Sequence, residues 1–331
     1  MPKSIAEKLL RAQSVILSTH RNSDGDGLGA QLGLYHGLIS IGKLVSVINL
    51  DRPSRKYSFL GVESIIQICG EAPLPKADLA LILDTNDRRL AEPLISELEK
   101  QGTEVVFVDH HPVLKEGPAP TTGSLIDISA ASTGEIVYRT IQEMKISLNA
   151  AMARALYTSV VFDTQLFRFV KSDPRSHLMA ADLLKFEKNP EEIHRKLFAT
   201  YSIQKMEFLA RALAQVEYTA NGKIAVLKLD GREIRSYGLD LEDSVDVIDM
   251  VMNIETVQVA TLMREDMPGV FKLSLRSKGV FPVLPLAERL GGGGHTFAAG
   301  AYVKREAREL REFILGELLA VVQPGLRSAN E

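Results

Sequence analysis

Residues 18–30 read STHRNSDGDGLGA and follow directly on the apolar run SVILS (14–18). An apolar run that breaks into glycines and then into a helical pattern is the strand–turn–helix opening of a doubly wound α/β domain. Two chemistries fit such a turn. Gly25, Gly27 and Gly29 could aim bare N–H groups at the phosphates of a dinucleotide, but Asp24 and Asp26 would repel that anion. Unless a cation stands between carboxylates and phosphate, the dinucleotide reading is electrostatically poor, which directs attention to other cation ligands along the chain.

Outward from this stretch, short apolar runs alternate with helical spacing. The runs at 14–18, 44–50, 77–84, 104–110 and 123–129 are apolar on consecutive positions, as strands buried on both faces should be. Helical spacing at 26–41, 91–100 and 132–144 separates them, so the expected fold is α/β with a mostly parallel sheet. From about Ser147 to Glu217 the pattern is helical, with Asp173 as an N-cap and Pro174 as the first helical residue. Strand patterns return at 222–230, 256–265, 270–277 and 296–303, with helices at 240–252, 283–290 and 304–321. The expected organisation is a catalytic domain over 1–186, a helical linker over 187–216 and a smaller α+β substrate-binding domain over 217–331.

Composition narrows the class. A chain of 331 residues can bury two cores, and its single cysteine, Cys69, leaves no intrachain disulfide and no cysteine-based zinc site. The charged N-terminus and the lack of a long apolar run argue for a protein of the cytoplasm without a membrane anchor. A net charge of −3 disfavours a surface that tracks a long phosphate backbone, while a short nucleotide substrate stays compatible.

The carboxyl ends of the strands carry the chemistry. His20, Asp24 and Asp26 follow the first run, Asp84 ends the third, Asp109, His110 and His111 end the fourth, and Asp163 lies in YTSVVFDTQLFRF. Each alone reads as an N-cap, a turn residue or a packed histidine. An open parallel sheet gathers its strand ends in one crevice, however, and carboxylates clustered there need a cation to stay ionised. Carboxylate and imidazole without thiolate suit Mn²⁺ or Mg²⁺ before Zn²⁺. With this many ligands two ions can be held, the arrangement for in-line phosphoester hydrolysis. In the last third, GGGGHTFAAG (291–300) reads as a tight turn rather than a flexible linker, with Gly292, Gly293, Gly294 and His295 forming an anion cradle to which Arg276 and Lys278 add charge.

THRNSDGDGLGA, LDTND, VDHH, ASTGEIVY and LYTSVVFDTQLFRF, in that order, resemble the motifs of the DHH phosphoesterase superfamily, and LSLRSKG with ERLGGGGHTFAAG resembles its DHH-associated C-terminal domain. Length and domain pairing are most similar to the bifunctional oligoribonuclease and 3′-phosphoadenosine-5′-phosphate phosphatase group, the nanoRNases. The resemblance implies a manganese-dependent hydrolase of short RNA oligonucleotides and 3′-phosphoadenosine-5′-phosphate. It implies that His20, Asp24 and Asp84 hold one ion, and that Asp26, Asp84, His110 and Asp163 hold the other, with Asp84 as the bridge. Asp109 would then orient His110, His111 would face the scissile phosphate, and the glycine run, His295 and Arg276 would bind the nucleotide's phosphate end.

Three stretches depart from the family pattern. Ser23 stands where proline is frequent, Phe162, Asp163, Thr164 and Gln165 stand where Thr-Asp-Thr-Gly is usual, and Phe281–Pro282 where a small polar pair is common. None removes a ligand. Hydrolysis of cyclic or linear dinucleotide signals is the alternative within the superfamily, and a nucleotide-binding regulator the non-enzymatic one. A regulator would be expected to have lost a ligand. Apolar helices of the first domain leave a homodimer open.

Overall fold

The apolar runs of the first half become parallel strands, and the periodic segments between them become the helices that cover both faces. The computed structural model describes residues 2–113 and 118–322, His295 by its backbone alone. The chain divides into two compact units, Met1–Thr200 and Tyr201–Glu331.

The first unit opens with α1 (Pro2–Arg11), β1 (Ser14–Thr19), α2 (Gly25–Ser40) and β2 (Leu44–Asn49). A 3₁₀ turn at Arg55–Leu60 leads into α3 (Val62–Ile65), β3 (Ile66–Ile68) and β4 (Leu79–Leu83). Then come α4 (Leu94–Lys100), β5 (Glu104–Asp109), β6 (Leu125–Ile126), α5 (Thr133–Glu143), α6 (Ala150–Asp163), α7 (Arg175–Leu183) and α8 (Pro190–Phe198). The strands form one parallel sheet in the order β3-β2-β1-β4-β5-β6. Central β4, LALIL, is buried at every position because helices cover both faces. Leu79, Leu81 and Leu83 face the core shared with α1, α2, α5 and α6, while Ala80 and Ile82 face α4. The order reverses between β1 and β4, and the carboxyl ends of strands flanking such a reversal open a crevice.

Two strands differ from expectation. The expected strand over 123–129 contracts to Leu125–Ile126, an edge strand paired only with the end of β5, and β3 was not foreseen. Both are too short to show a period.

The glycines of the opening stretch belong to a helix and not to a phosphate loop. Gly25, Gly29, Gly33 and Gly37 recur every fourth residue and form one ridge of α2 facing α6. A Cβ at Gly29 would stand 2.5 Å from the Ala155 carbonyl oxygen and 2.7 Å from the Ser159 nitrogen, so the two helix backbones nearly touch there. At Gly37 the nearest atom is the flexible Met152 Sδ at 3.3 Å.

The second unit contains α9 (Ile203–Leu213), β7 (Glu217–Thr219), β8 (Ile224–Asp230), α10 (Gly231–Ser236), α11 (Val245–Met252), β9 (Val259–Met267) and β10 (Val270–Ser277). It continues through α12 (Leu284–Arg289), β11 (Gly293–His295) and β12 (Ala298–Lys304) to α13 (Ala307–Val322). Its sheet runs β11-β12-β10-β9-β8-β7, parallel only between β8 and β9. One face packs on α12 and α13, the other on α9, α10 and α11. Within residues 187–216, α8 packs on α6 of the first unit and α9 on α11 of the second. Asp173 does accept the Arg175 N–H, at 2.8 Å, but α7 starts at Arg175 with Pro174 flanking it.

The α2 ridge sets two opposing terms. Replacing a helical glycine by alanine gains about 1 kcal/mol of propensity, and forcing a methyl against backbone costs about 1–3 kcal/mol. Gly29→Ala is expected to lower stability by up to about 2 kcal/mol, and Gly37→Ala to leave it unchanged or slightly raised, within about 1 kcal/mol, by urea denaturation.

Candidate metal centre

The switch point between β1 and β4 gathers side chains from five segments. His20 leaves the end of β1. Asp24 N-caps α2, its Oδ1 accepting the N–H groups of Asp26 and Gly27 at 2.9 and 3.2 Å. Asp26 follows in the first turn. Asp84 leaves β4 with φ +62, a left-handed conformation unusual for a residue with a Cβ and one that collects at functional sites. Asp109 ends β5, His110 and His111 follow it, and Asp163 is the last residue of α6.

Two groups form, joined by Asp84. His20 Nε2 lies 3.5 Å from Asp84 Oδ2 and 4.0 Å from Asp24 Oδ1. His110 Nε2 lies 3.5 Å from Asp26 Oδ2, 3.5 Å from Asp163 Oδ2 and 3.8 Å from Asp84 Oδ1. These spacings exceed a hydrogen bond. The three spacings of 3.5 Å match the edges between ligands that each sit about 2.1 Å from a shared ion, which fall at about 3.0–3.5 Å, while those of 3.8 and 4.0 Å are longer.

The donor set fits a cation on a second ground. The buried Nε2 of His110 has no hydrogen-bond partner among the described residues. The other ring nitrogen, Nδ1, faces the Ala130 carbonyl at 3.3 Å. With Nδ1 protonated toward that carbonyl, the Nε2 lone pair converges on three carboxylate oxygens. Acceptors aimed at one another are stable only around a positive charge or a shared proton. Burial, followed by Asp26, Asp24, Asp109 and Asp163, pushes the Asp84 carboxyl well above the usual carboxylate range. Burial and then Asp26 push Asp163 up to about 8. Burial lowers His110, disfavouring the imidazolium.

Asp109 does something other than expected. The sequence reading has it orienting the His110 ring, but its Oδ1 meets His111 Nδ1 at 2.9 Å, and His110 offers it only the backbone N–H, at 2.8 Å. The reason is local: His110 turns Nε2 toward Asp26, while the His111 ring, packed edge-on against it at 4.3 Å between centroids, turns Nδ1 toward Asp109. The hydrogen bond to Asp109 raises His111. Burial would raise Asp109, but the bond and charge of His111 outweigh it and hold this carboxyl low. Asn86 fixes the other oxygen, its Nδ2 donating to Asp109 Oδ2 at 2.6 Å and to the His111 carbonyl at 3.0 Å.

Sequence reasoning missed the groups that hold the carboxylates. Asp26 Oδ2 accepts the Thr133 N–H at 2.7 Å, and its Oδ1 accepts the Gly134 N–H at 3.1 Å and the Ser159 hydroxyl. Thr133 Oγ1 donates to Asp84 Oδ1 at 3.0 Å. The N-terminus of α5 thus presents its unpaired N–H groups and positive dipole end to the site. The Ser-x-x-Glu pattern at Ser132 and Glu135 signalled a helix start there, and nothing in the sequence singled out Ser159.

The remaining expected residues lie in the second unit. Arg276 pairs in register with Ala298, which pairs in turn with His295, so the backbones of Arg276 and His295 occupy one row of the sheet two strands apart. The His295 side chain lies outside the described residues. The glycine run is half turn and half strand, since Gly293 and Gly294 join β11. Gly292 and Gly294 are required by close approach: a Cβ would stand 2.0 Å from the Gly300 carbonyl oxygen or 2.6 Å from that of Ala298. Lys278 is engaged by the carbonyls of Ile254 and Glu255, at 2.5 and 3.1 Å.

Fold and site together define an α/β protein with a buried carboxylate–histidine centre, able to hold metal, at the switch point of a parallel sheet. Residues 14–160 match the DHH family N-terminal domain and residues 221–319 the DHHA1 domain. The chain belongs to the DHH family. It is 29% identical over 304 residues to the bifunctional oligoribonuclease and PAP phosphatase NrnA of Thermus thermophilus, covering 91% of this chain and 87% of that one. The Bacillus subtilis protein of the same name is 26% identical over 297 residues, covering 88% and 89%. The crystal structure of an exopolyphosphatase-related protein from Bacteroides fragilis shares the fold, with a TM-score of 0.85 at 24% identity over 98% of this chain and 97% of that one. No helix among the described residues is long and apolar enough to cross a membrane.

The raised carboxyls make stability depend on pH. Between its unfolded value near 3.8 and its folded value of about 8, Asp163 binds more proton in the folded state, so stability falls as pH rises through this window. Raised His111 acts in the same direction, while His110, lowered, acts oppositely and only below its usual value of 6.5. Chelator-treated protein is therefore expected to melt at lower temperature at pH 9 than at pH 7, with Mn²⁺ abolishing most of the difference. Asp163→Asn should raise the metal-free melting temperature at pH 9; thermal denaturation at the two pH values checks both.

Proposed function

We propose that this chain is a metal-dependent phosphoesterase that shortens very small oligoribonucleotides to mononucleotides and removes the 3′-phosphate of 3′-phosphoadenosine-5′-phosphate. One observation carries the reading: His20, Asp24, Asp26, Asp84, His110 and Asp163 converge at the switch point of a chain similar along most of its length to oligoribonucleases and PAP phosphatases. His20, Asp24 and Asp84 would hold one ion and Asp26, Asp84, His110 and Asp163 the other, with Mn²⁺ favoured over Mg²⁺ because imidazole serves both. When bound, such a pair supplies Lewis acidity to phosphoryl oxygens and acidifies a water.

The chain's own residues do the rest. Asp84 turns one oxygen to each group, so its carboxylate fixes their separation. The N-terminus of α5 and Ser159 lock Asp26, and Thr133 locks Asp84, before any substrate arrives. His111 is half exposed, and Asp109 raises its affinity for a proton. With Nδ1–H committed to Asp109, protonated His111 presents Nε2–H to a phosphate oxygen and stabilises its growing charge. In the second domain, which we assign to residues 217–331, Arg276 and the row through Gly292, Gly293, Gly294 and His295 grip the terminal phosphate. The ligands fall to the first domain, assigned to 1–186. A grip on the strand's end selects short substrates, because added nucleotides gain no contact.

Asp84→Asn should cut Mn²⁺-dependent turnover at least about a hundredfold while leaving the circular dichroism and metal-free melting temperature at or above wild type, since it removes a buried like charge. Product analysis with a labelled dinucleotide, a pentanucleotide, a 24-mer and 3′-phosphoadenosine-5′-phosphate tests the substrate class, the 24-mer being expected to react slowest. Arg276→Ala should lower kcat/KM on the dinucleotide about ten- to a hundredfold, the worth of a charge-assisted hydrogen bond, and leave a small generic phosphodiester unaffected. Equal losses on both substrates would refute the grip.

A further inference from the structure

Arg276 is not free. Its Nε lies 3.5 Å from Asp249 Oδ1 on α11, and its Nη1 donates to the Leu275 carbonyl at 3.2 Å. The placement follows from the sheet. Leu275 faces the core under α12 and α13, so its neighbour Arg276 faces the other side. Ala260, the register partner of Arg276 on β9, is buried with Val247, Ile248 and Val251 of α11. Arg276 thus emerges beneath α11, on the row that leads through Ala298 to His295. The other acidic groups on this helix are neutralised: Asp246 and, just before it, Asp243 pair with Lys205 at 2.6 and 2.7 Å. Asp249 alone turns to the arginine. Its side chain is 59% exposed and that of Arg276 29%, so the carboxylate can yield while the guanidinium stays anchored.

We propose that Asp249 is a built-in competitor for the nucleotide's phosphate at Arg276, holding the guanidinium in the empty site and limiting its affinity for the mononucleotide product. The inference rests on the reading that Arg276 grips a terminal phosphate. A phosphomonoester end carries about −1.5 to −2 charge and three acceptor oxygens, enough to displace one exposed carboxylate. The product of each cut bears such an end. Without a competitor, a guanidinium facing it would release the product slowly; with Asp249 in reach, the arginine exchanges one anion for another and is never left uncompensated.

Adenosine 5′-monophosphate binding to chelator-treated protein, followed by calorimetry, isolates the grip from the metal centre. Asp249→Asn is expected to bind about two- to fivefold more tightly than wild type, the range that a partly exposed ion pair supplies. Arg276→Ala should bind more weakly, and Asp249→Asn should gain little in its background. In turnover, Asp249→Asn should lower KM for the dinucleotide and strengthen inhibition by the monophosphate. A merely structural role cannot tighten binding. Unchanged or weaker binding by Asp249→Asn, with Arg276→Ala still impaired, overturns the competition and leaves the grip standing. If Arg276→Ala binds the monophosphate as wild type does, the grip fails and the competition with it.

Discussion

The hold of α5 on Asp26 is the interaction on which the first unit's site depends. A carboxylate that is 1% exposed and surrounded by other carboxylates needs compensation from fixed donors, and the first two N–H groups of α5 with the Ser159 hydroxyl provide it. Three elements are fixed by this contact: α2 carries Asp26, α5 the N–H groups, and α6 the hydroxyl. The glycine ridge of α2 allows it, because only a backbone-to-backbone approach brings Ser159 within reach. Gly134 obeys the same constraint, since a Cβ there would overlap Ser159 Oγ. Asp163, at the end of α6, is then delivered to His110 as a consequence of helix packing.

The fold keeps a like-charge cluster that lowers its own stability in the absence of a cation. Asp84 sits in a left-handed conformation, surrounded by four other aspartates, with its carboxyl displaced far toward the neutral form. Hydrophobic cores on both faces of the sheet outweigh such local cost. The same reasoning applies after Asp163, where Gln165, Leu166 and Phe167 all have positive φ. Glycine would adopt such a conformation without steric cost. This chain keeps the conformation with a side chain at Gln165, at a cost in local strain.

The second unit pairs its charges differently. Among the described residues, Arg276 in its row with Ala298 and His295 is paired with the partly exposed carboxylate of Asp249. On the function proposed above, a centre that holds cations and a grip that must release anions call for opposite solutions. Buried, rigid acceptors serve the first. A partly exposed ion pair, weak because solvent screens it, serves the second.

The parallel α/β class was legible because β1, β4 and β5 are apolar at consecutive positions and are spaced by helices. The carboxylate and imidazole character of the candidate centre was legible because an open parallel sheet brings the ends of its strands together wherever they lie in the chain. The short edge strands β3 and β6 left no periodic signal. Motif order could not show which histidine Asp109 holds, since His110 and His111 are adjacent and their rings pack edge to face, with only His111 turning a ring nitrogen to Asp109. Sequence by itself therefore determined the architecture and the chemical identity of the centre, through hydrophobic period and the collective cost of clustered carboxylates. Tertiary structure alone decided what holds that centre in place: Thr133 reaches Asp26 across 107 residues and Ser159 across 133, and neither the glycine repeat of α2 nor the helix start at Ser132 names the partner it meets.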